Sequence, residues 1–395
     1  MANVSFLLNQ FPAGGVERVT MNLISPLTYG KGHNIFIFVH ILDKDKLADC
    51  DLPVTYIELP YRSNDKRNKN IIAEAIRKYN IDLFIAPIIS PKYVFELREE
   101  KLCKICYVLH GMPFYELKEM ENSFKSIHPE ERIDKVLKKY LLTLPKFKLG
   151  YYHRKAELIY RERHERLDGF AVLNDQYKEM IAKAVGTTAD DPKLFTLQNP
   201  LPPAAEIAET ERKKQIIFVG RLSYTDKRVD RLLSVWSKLY DKHSDWELLI
   251  IGDGPESNNL QRYVRRNNLQ RVKFINFTTR PEQYYKESEI LCLTSDFEGC
   301  PMVLLEAQQY GCATIAFDCS YGVRDILSPN WINGVHVPNG DIDAYAKALS
   351  RLMEDNALRQ EIQRNGRENI KRFSIERSAE QYDAMIQKLC SDPIE

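Results

Sequence analysis

Two glutamates eight residues apart, Glu298 and Glu306, stand in the segment LTSDFEGCPMVLLEAQQYG (293–311). A carboxylate accepts paired hydrogen bonds from a diol, so one glutamate could grip a sugar and the other a ribose. Between them, Gly299 lets a ligand approach the backbone, Pro301 suits a first helical turn, and the N–H groups of that turn suit phosphate. Upstream, FVGRLSYTDKRVDRLL puts Arg221 just past a strand-ending glycine and Lys227 six residues later. Two cations converging on a strand end supply the positive charge a pyrophosphate requires. Each feature alone has a plainer reading. An arbitrary Arg and Lys in a loop are usually solvated, and Glu306, between Leu305 and Ala307 on an apolar helix, would need a partner if buried. IIGDGPE (250–256), with Gly252 and Gly254 ahead of Pro255, reads alone only as strand, turn and helix.

These groups must be held at the ends of strands. Short apolar runs alternate with longer amphipathic stretches throughout, which predicts an α/β, doubly wound fold. The first series of predicted strands is 4–9, 34–40, 54–59, 82–88, 104–110 and 169–173, and the second is 215–220, 246–252, 271–277, 289–295, 313–318 and 333–338. Between them NPLPPAAEIAETERKKQ (199–215), with prolines, small residues and charges, reads as a linker. At 395 residues the chain exceeds one ordinary core. Domains at 1–204 and 205–374 follow, with helices and no strand signal in the last ~50 residues. No repeat of solenoid period is present.

The formal charge of +1 argues against a general nucleic-acid binder. The N-terminus lacks a basic stretch followed by a long apolar core, and no run reaches the roughly 18 apolar residues of a membrane span, so a cytoplasmic location is expected. Cys103 and Cys106 form a CxxC, but within an apolar run that predicts a strand rather than the helix start of a redox motif. Cys292, Cys312 and Cys319 also sit in strand-like surroundings, as reduced core thiols do.

Taken together, GRL with its Lys six residues after the Arg, IGDGPE, the E-x7-E pair and NGVHVPNGD (333–341) resemble the donor-binding domain of glycosyltransferase family 4. The resemblance is strong over roughly 215–375 and weaker in the first half. It implies the GT-B fold: two Rossmann-like doubly wound domains facing a cleft, the first binding acceptor, the second a nucleotide-sugar donor, with helix 375–395 returning to the first domain. Carried residue by residue, it implies that Arg221 and Lys227 neutralise the leaving pyrophosphate, Glu306 holds the ribose and Glu298 contacts the donor sugar. Thr278 and Arg280 would lie by the base. FLLNQFPAGGVERVTMNL (6–23) resembles the family's Gly-rich first loop, with Gly14 and Gly15 facing the donor phosphates, and His110 matches its strand-end histidine near the transferred sugar. On sequence alone, a lone His is more often structural. Such enzymes retain anomeric configuration and need no metal or other cofactor, the nucleotide sugar being a substrate. Asp43-Lys44-Asp45 and Asp341-Ile342-Asp343 resemble the metal-binding DxD of a different fold, but the first sits in a charged loop and the second at a predicted helix cap.

KVLKKYLLTLPKFKLGYYHRK (135–155) has seven Lys or Arg and no acid, interleaved with apolar and aromatic residues. That composition suits an anionic membrane surface as well as it suits a solvated helix face, and Pro145 excludes a single helix through it. The expected acceptor is a lipid-linked or surface-polysaccharide glycan. The stretch 298–327 resembles a bacterial subset of the family that uses UDP-sugars, departing from it at Cys300, Ser320 and Val323. A GDP-mannose donor, a sugar-nucleotide epimerase of the same fold, and a catalytically silent nucleotide-sugar-binding scaffold are the alternatives. The intact glutamate pair and the Arg-to-Lys spacing favour transfer.

Overall fold

The computed structural model describes residues 1–395 except Ala13, 48–51, 88–91, 126–138, 206–210 and 392–395. The first four residues of the basic stretch 135–155 therefore lie outside the described residues.

One parallel sheet holds β1 (Asn3–Phe11), β2 (Asn34–Leu42), β3 (Val54–Glu58), β4 (Leu83–Pro87), β5 (Lys104–Val108), β6 (Gly169–Val172) and β7 (Leu194–Thr196) in the order β3-β2-β1-β4-β5-β6-β7. A second holds β8 (Lys213–Val219), β9 (Glu247–Ile251), β10 (Val272–Ile275), β11 (Ser288–Leu293), β12 (Ala313–Asp318) and β13 (Val335–Pro338) in the order β10-β9-β8-β11-β12-β13. Every pairing between these strands is parallel. This is the doubly wound Rossmann-like arrangement, twice. Parallel strands are covered on both faces, which is why β5, KICYV, is buried at every position and β8, KKQIIFV, reads as a continuous apolar run from Ile216 on. Strand β7 escaped the sequence reading. LFT is only three residues long, too short to show a period.

Contacts divide the chain into two units, Met1–Pro113 with His153–Pro202 and Phe373–Glu395, and Phe114–Tyr152 with Pro203–Arg372. In the first, Val4, Phe6, Leu8, Ile35, Ile37 and Val39 from β1 and β2 join Ala379, Tyr382, Met385, Ile386 and Leu389 of the helix Ile375–Ser391 in one core. The apolar face of that helix explains its place: each such side chain is worth on the order of 2 kcal/mol when withdrawn from water. Polar ties fix its register. His33 Nε2 lies 2.8 Å from Asp383, and Gln198 N–H donates to Gln381 Oε1 at 2.8 Å. In the second unit, Ile216, Phe218, Leu248, Ile250, Ile290, Ile315 and Val335 meet the helix residues Leu232, Trp236, Leu349 and Leu352.

The helix Tyr115–Lys125 lies inside the first half of the sequence but clusters with the second unit. Pro145 occupies the first turn of a short helix, Leu144–Lys148, and Tyr151–Arg166 begins afresh after Gly150, whose φ is +71°.

Candidate functional site

In the second sheet the strand order reverses between β8 and β11, and ligands of open α/β sheets bind beyond the strand ends at such a reversal. The loops leaving those two strands, 220–228 and 294–301, carry Arg221, Lys227, Glu298 and Gly299. Backbone and side-chain bonds stitch them together. Asp296 N–H donates to Asp226 O at 2.7 Å and Thr294 Oγ1 donates to Lys227 O at 3.2 Å. Lys227 Nζ thereby reaches Glu298 Oε1 at 2.7 Å, while Ser295 Oγ donates to the same oxygen at 2.6 Å. The Lys227 side chain is 23% exposed and that of Glu298 10%. Burial disfavours the ammonium, but the charge and hydrogen bond of Glu298 and the charge of Asp226 together outweigh it, and the Lys227 pKa rises. Lys227 is therefore a fixed cation whose partner is an acid, not a lysine able to lose its proton near neutrality.

Arg221, 64% exposed, donates to Asp226 Oδ2 at 2.8 Å. Burial pushes the Asp226 carboxyl up, yet the hydroxyl of Ser223 and the guanidinium of Arg221 bring it below the ordinary value. Asp296, 3% exposed, sits between Arg228 at 2.9 Å and Arg231 at 2.6 Å. Arg228 caps the helix Val229–Trp236 with φ +49° and also grips Asp230 at 2.8 Å. A buried carboxylate between two guanidiniums anchors the loop that carries Glu298.

The glycines of IGDGPE have a steric reason that sequence alone did not supply. An added Cβ on Gly252 would stand 2.0 Å from Gly220 O, and one on Gly254 2.4 Å from Leu222 O. The loop after β9 is pressed against the GRL loop, with Leu222 N–H donating to Asp253 O at 2.8 Å and Glu256 N–H to Leu222 O at 3.1 Å. Pro255 lies two residues ahead of the helix Ser257–Arg266 rather than at its first position.

Glu306 lies on the helix Met302–Gln309, for which Pro301 is the N-cap and no side chain caps the N-terminus. The partner its setting demands is Tyr285, whose hydroxyl donates to Glu306 Oε2 at 3.0 Å. From the segment Phe114–Tyr152 the helix Tyr115–Lys125 braces both site loops. Asn122 Nδ2 donates to Thr225 O at 2.9 Å, and the Tyr115 and Phe297 rings lie 6.4 Å apart.

Arg221, Lys227, Glu298 and Gly299 are thus brought together, with Glu306 on the helix that follows. Thr278 and Arg280 are not in that cluster. They follow β10 at the sheet edge, where the Arg280 N–H donates to Thr278 Oγ1 at 3.1 Å. Gly14, Gly15 and His110 belong to the first unit, following β1 and β5. Gly14 has φ +124°, and the Glu17 carboxylate fills the space a Cβ would take, whereas Gly15 opens on empty space. Burial raises the Glu17 pKa. His110 Nδ1 is 3.2 Å from Asn199 Oδ1, and burial lowers its pKa to about 4, against the opposing effect of that bond. His110 is therefore neutral at pH 7, and the Asn199 contact places the proton on Nδ1.

The remaining motifs have structural roles. Cys106 lies in β5 and both cysteines of the CxxC are buried, with the Cys103 thiol pushed up to about 12 by burial. Asp341 Oδ1 caps the helix Ile342–Glu354 by accepting from Ala344 N–H at 2.9 Å, Asp343 pairs with Lys238 at 3.0 Å, and Lys44 pairs with Glu58 at 2.7 Å. Among the described residues no group of three or more His, Cys, Asp or Glu is placed to hold a metal ion.

Sequence reasoning missed Asp226, Asp296, Tyr285 and Asn122. Asp296 alone left a signal, an acidic residue directly after an apolar strand.

Residues 204–369 match the family described as glycosyl transferases group 1. A glycosyltransferase of Haemophilus influenzae is 33% identical over 196 residues, covering 49% of this chain and 55% of that protein. The lipopolysaccharide 1,6-galactosyltransferase of Salmonella typhimurium is 30% identical over 221 residues, covering 54% and 58%. The matches thus span little more than half the length of these relatives. In fold, the Anabaena protein HepE, solved in complex with UDP, superposes with a TM-score of 0.70 at 15% identity over 96% of this chain and 98% of that one. The architecture is GT-B.

Proposed function

We propose that this chain, with its group 1 glycosyl transferase domain, moves a hexose or N-acetylhexosamine from a UDP-sugar to a lipid-linked or surface-polysaccharide glycan, retaining the anomeric configuration. The observation that carries this reading is the pairing of Lys227 with Glu298, beside Arg221, at the strand-order reversal of the second sheet. Arg221 and Lys227 meet the charge that develops on the leaving diphosphate, Glu298 accepts from hydroxyls of the transferred sugar, and Glu306 accepts from the ribose. Gly299 and the turn at the start of Met302–Gln309 give the phosphates a close backbone approach, and Thr278 and Arg280 lie by the base. In the reaction the bond from the anomeric carbon to the diphosphate oxygen breaks with its electron pair leaving on the diphosphate. The acceptor hydroxyl oxygen bonds that carbon on the same face, and its proton passes to the departing phosphate. In this reading Arg221 and Lys227 meet the diphosphate charge, and no metal is assigned a role. The UDP preference is supported by the complex of HepE with UDP, and the transfer of a hexose by the galactosyltransferase relative.

A panel of UDP-, GDP- and ADP-sugars with EDTA present tests this. Thermal stabilisation by UDP-sugars and slow UDP release insensitive to chelation are expected. Binding to none of the panel would overturn the reading in favour of a scaffold.

We also propose that the acceptor is met at a membrane surface. Leu141, Leu142, Leu149 and Tyr151 are 50–74% exposed, alongside Lys139, Lys146 and Lys148 of the same unit. Exposed apolar side chains among cations suit an anionic lipid surface. No helix among the described residues is long and apolar enough to cross a membrane. Flotation with vesicles of anionic phospholipid should carry the protein up, and L141E/L142E should leave it at the bottom. Equal flotation with purely zwitterionic vesicles, or none at all, would refute this surface.

A further inference from the structure

Glu306 falls within an apolar helix, and Tyr285, on the helix Glu282–Glu287, donates its phenolic proton to Glu306 Oε2 at 3.0 Å. Tyr285 is 1% exposed, so its hydroxyl has no bulk water to turn to. Its ring is held as firmly as its hydroxyl, stacked on Tyr310 with centroids 6.2 Å apart and planes at 14°. Tyr310 is tied in turn to the chain entering this unit, its hydroxyl accepting from Ala205 N–H at 2.7 Å.

We propose that Tyr285 is the positioning residue for nucleotide recognition: it orients the Glu306 carboxylate toward the ribose diol. This rests on the reading of Glu306 as the ribose acceptor. A glutamate has three rotatable torsions, and holding it in one arrangement before the ligand arrives removes an ordering cost from binding. The phenol also satisfies one lobe of a half-buried carboxylate, holding it against withdrawal toward solvent. Tyr285 acts through Glu306, to which its hydroxyl donates. Its effect is felt only where the ligand offers hydroxyls to Glu306, and ribose hydroxyls distinguish it from a residue that merely packs.

The test compares UDP, or GDP if the protein prefers it, with the 2′,3′-dideoxy analogue of the same nucleotide by calorimetry. Wild type, Tyr285→Phe and Glu306→Gln are compared, with the unliganded unfolding temperature of each recorded. Wild type should prefer the ribose form. Tyr285→Phe keeps the stacked ring and should weaken the ribose form about tenfold, as expected for one hydrogen bond to a charged group, while leaving the dideoxy form within twofold. With donor sugar, KM should rise by a similar factor and kcat should hold. Equal weakening of both nucleotides, or of neither, would overturn the inference and leave Tyr285 a core residue. Should Tyr285→Phe not fold, Glu306→Gln decides between the outcomes, because it must lose the ribose preference if the carboxylate is what Tyr285 orients. A wild-type protein that binds the nucleotide without any ribose preference fails differently: it removes the ribose from Glu306 itself, and the positioning role with it.

Discussion

Lys227→Ala is expected to lower kcat for transfer by about two to three orders of magnitude, the range found when one fixed donor to a developing negative charge is removed. The ammonium is paired with Glu298 at 2.7 Å and its pKa is raised, so it carries a full positive charge at neutral pH. Arg221 cannot replace it. Its guanidinium is 64% exposed and committed to Asp226, and water screens a charge so placed. Loss of Lys227 also removes a cation from beside the Glu298 carboxylate, which is 10% exposed, so the variant should unfold somewhat more readily. The two effects separate experimentally. Rates are measured well below the unfolding transition, against donor concentration, and the loss should fall on kcat because the diphosphate charge grows as the bond breaks. Turnover within about threefold of wild type would take the leaving-group role away from Lys227.

The convergence of Arg221, Lys227 and Glu298 was legible in the sequence because all three fall just past the ends of apolar strands, whereas the role proposed for Lys227 came from the family resemblance. The strands were legible for a different reason. Parallel strands covered on both faces are apolar throughout, so β5 and β12 stand out between turn residues, and only LFT of β7 was too short to see. What could not be read were contacts between residues far apart in sequence. Asn122 and Thr225 are 103 positions apart, and Tyr285 and Glu306 are 21 apart. No spacing rule links such pairs; only the folded backbone brings them into reach. Asp226 and Asp296 read as loop charges, the first being held by Arg221 and Ser223 of its own loop and the second by Arg228 and Arg231, which only the fold brings to it. The demand of Glu306 for a partner was visible, but not the partner's identity.

The glycines beside the site show how a weak motif becomes a strong constraint once the loops are in place. Gly252→Ala is expected to destabilise the protein by about 3 kcal/mol or more. Its φ of +141° is rarely adopted by a residue with a Cβ, and such strain costs roughly 1–3 kcal/mol. The added methyl would also stand 2.0 Å from Gly220 O and 3.0 Å from its carbonyl carbon, and overpacking adds about 1–3 kcal/mol. Neither atom can yield cheaply. Both belong to the backbone of the loop that carries Arg221, and Gly220 N–H is held by Ile251 O at 3.0 Å. Relief of the clash must therefore push the GRL loop away from the loop after β9, and nucleotide affinity should fall along with stability. Gly340→Ala isolates the contact from the dihedral. Gly340 has φ +83°, but the nearest atom to an added Cβ there is an Arg231 guanidinium nitrogen 3.9 Å away. That variant should lose only the conformational part, about 1 kcal/mol, and bind nucleotide as wild type does. Urea unfolding of the two variants and the parent, followed by tryptophan fluorescence, reads the difference directly, since Trp236 and Trp246 lie in the core of the same unit. Equal shifts for the two alanines would mean that the IGDGPE glycines answer to backbone conformation alone and that the close approach to Gly220 does not hold the phosphate-facing loop in place.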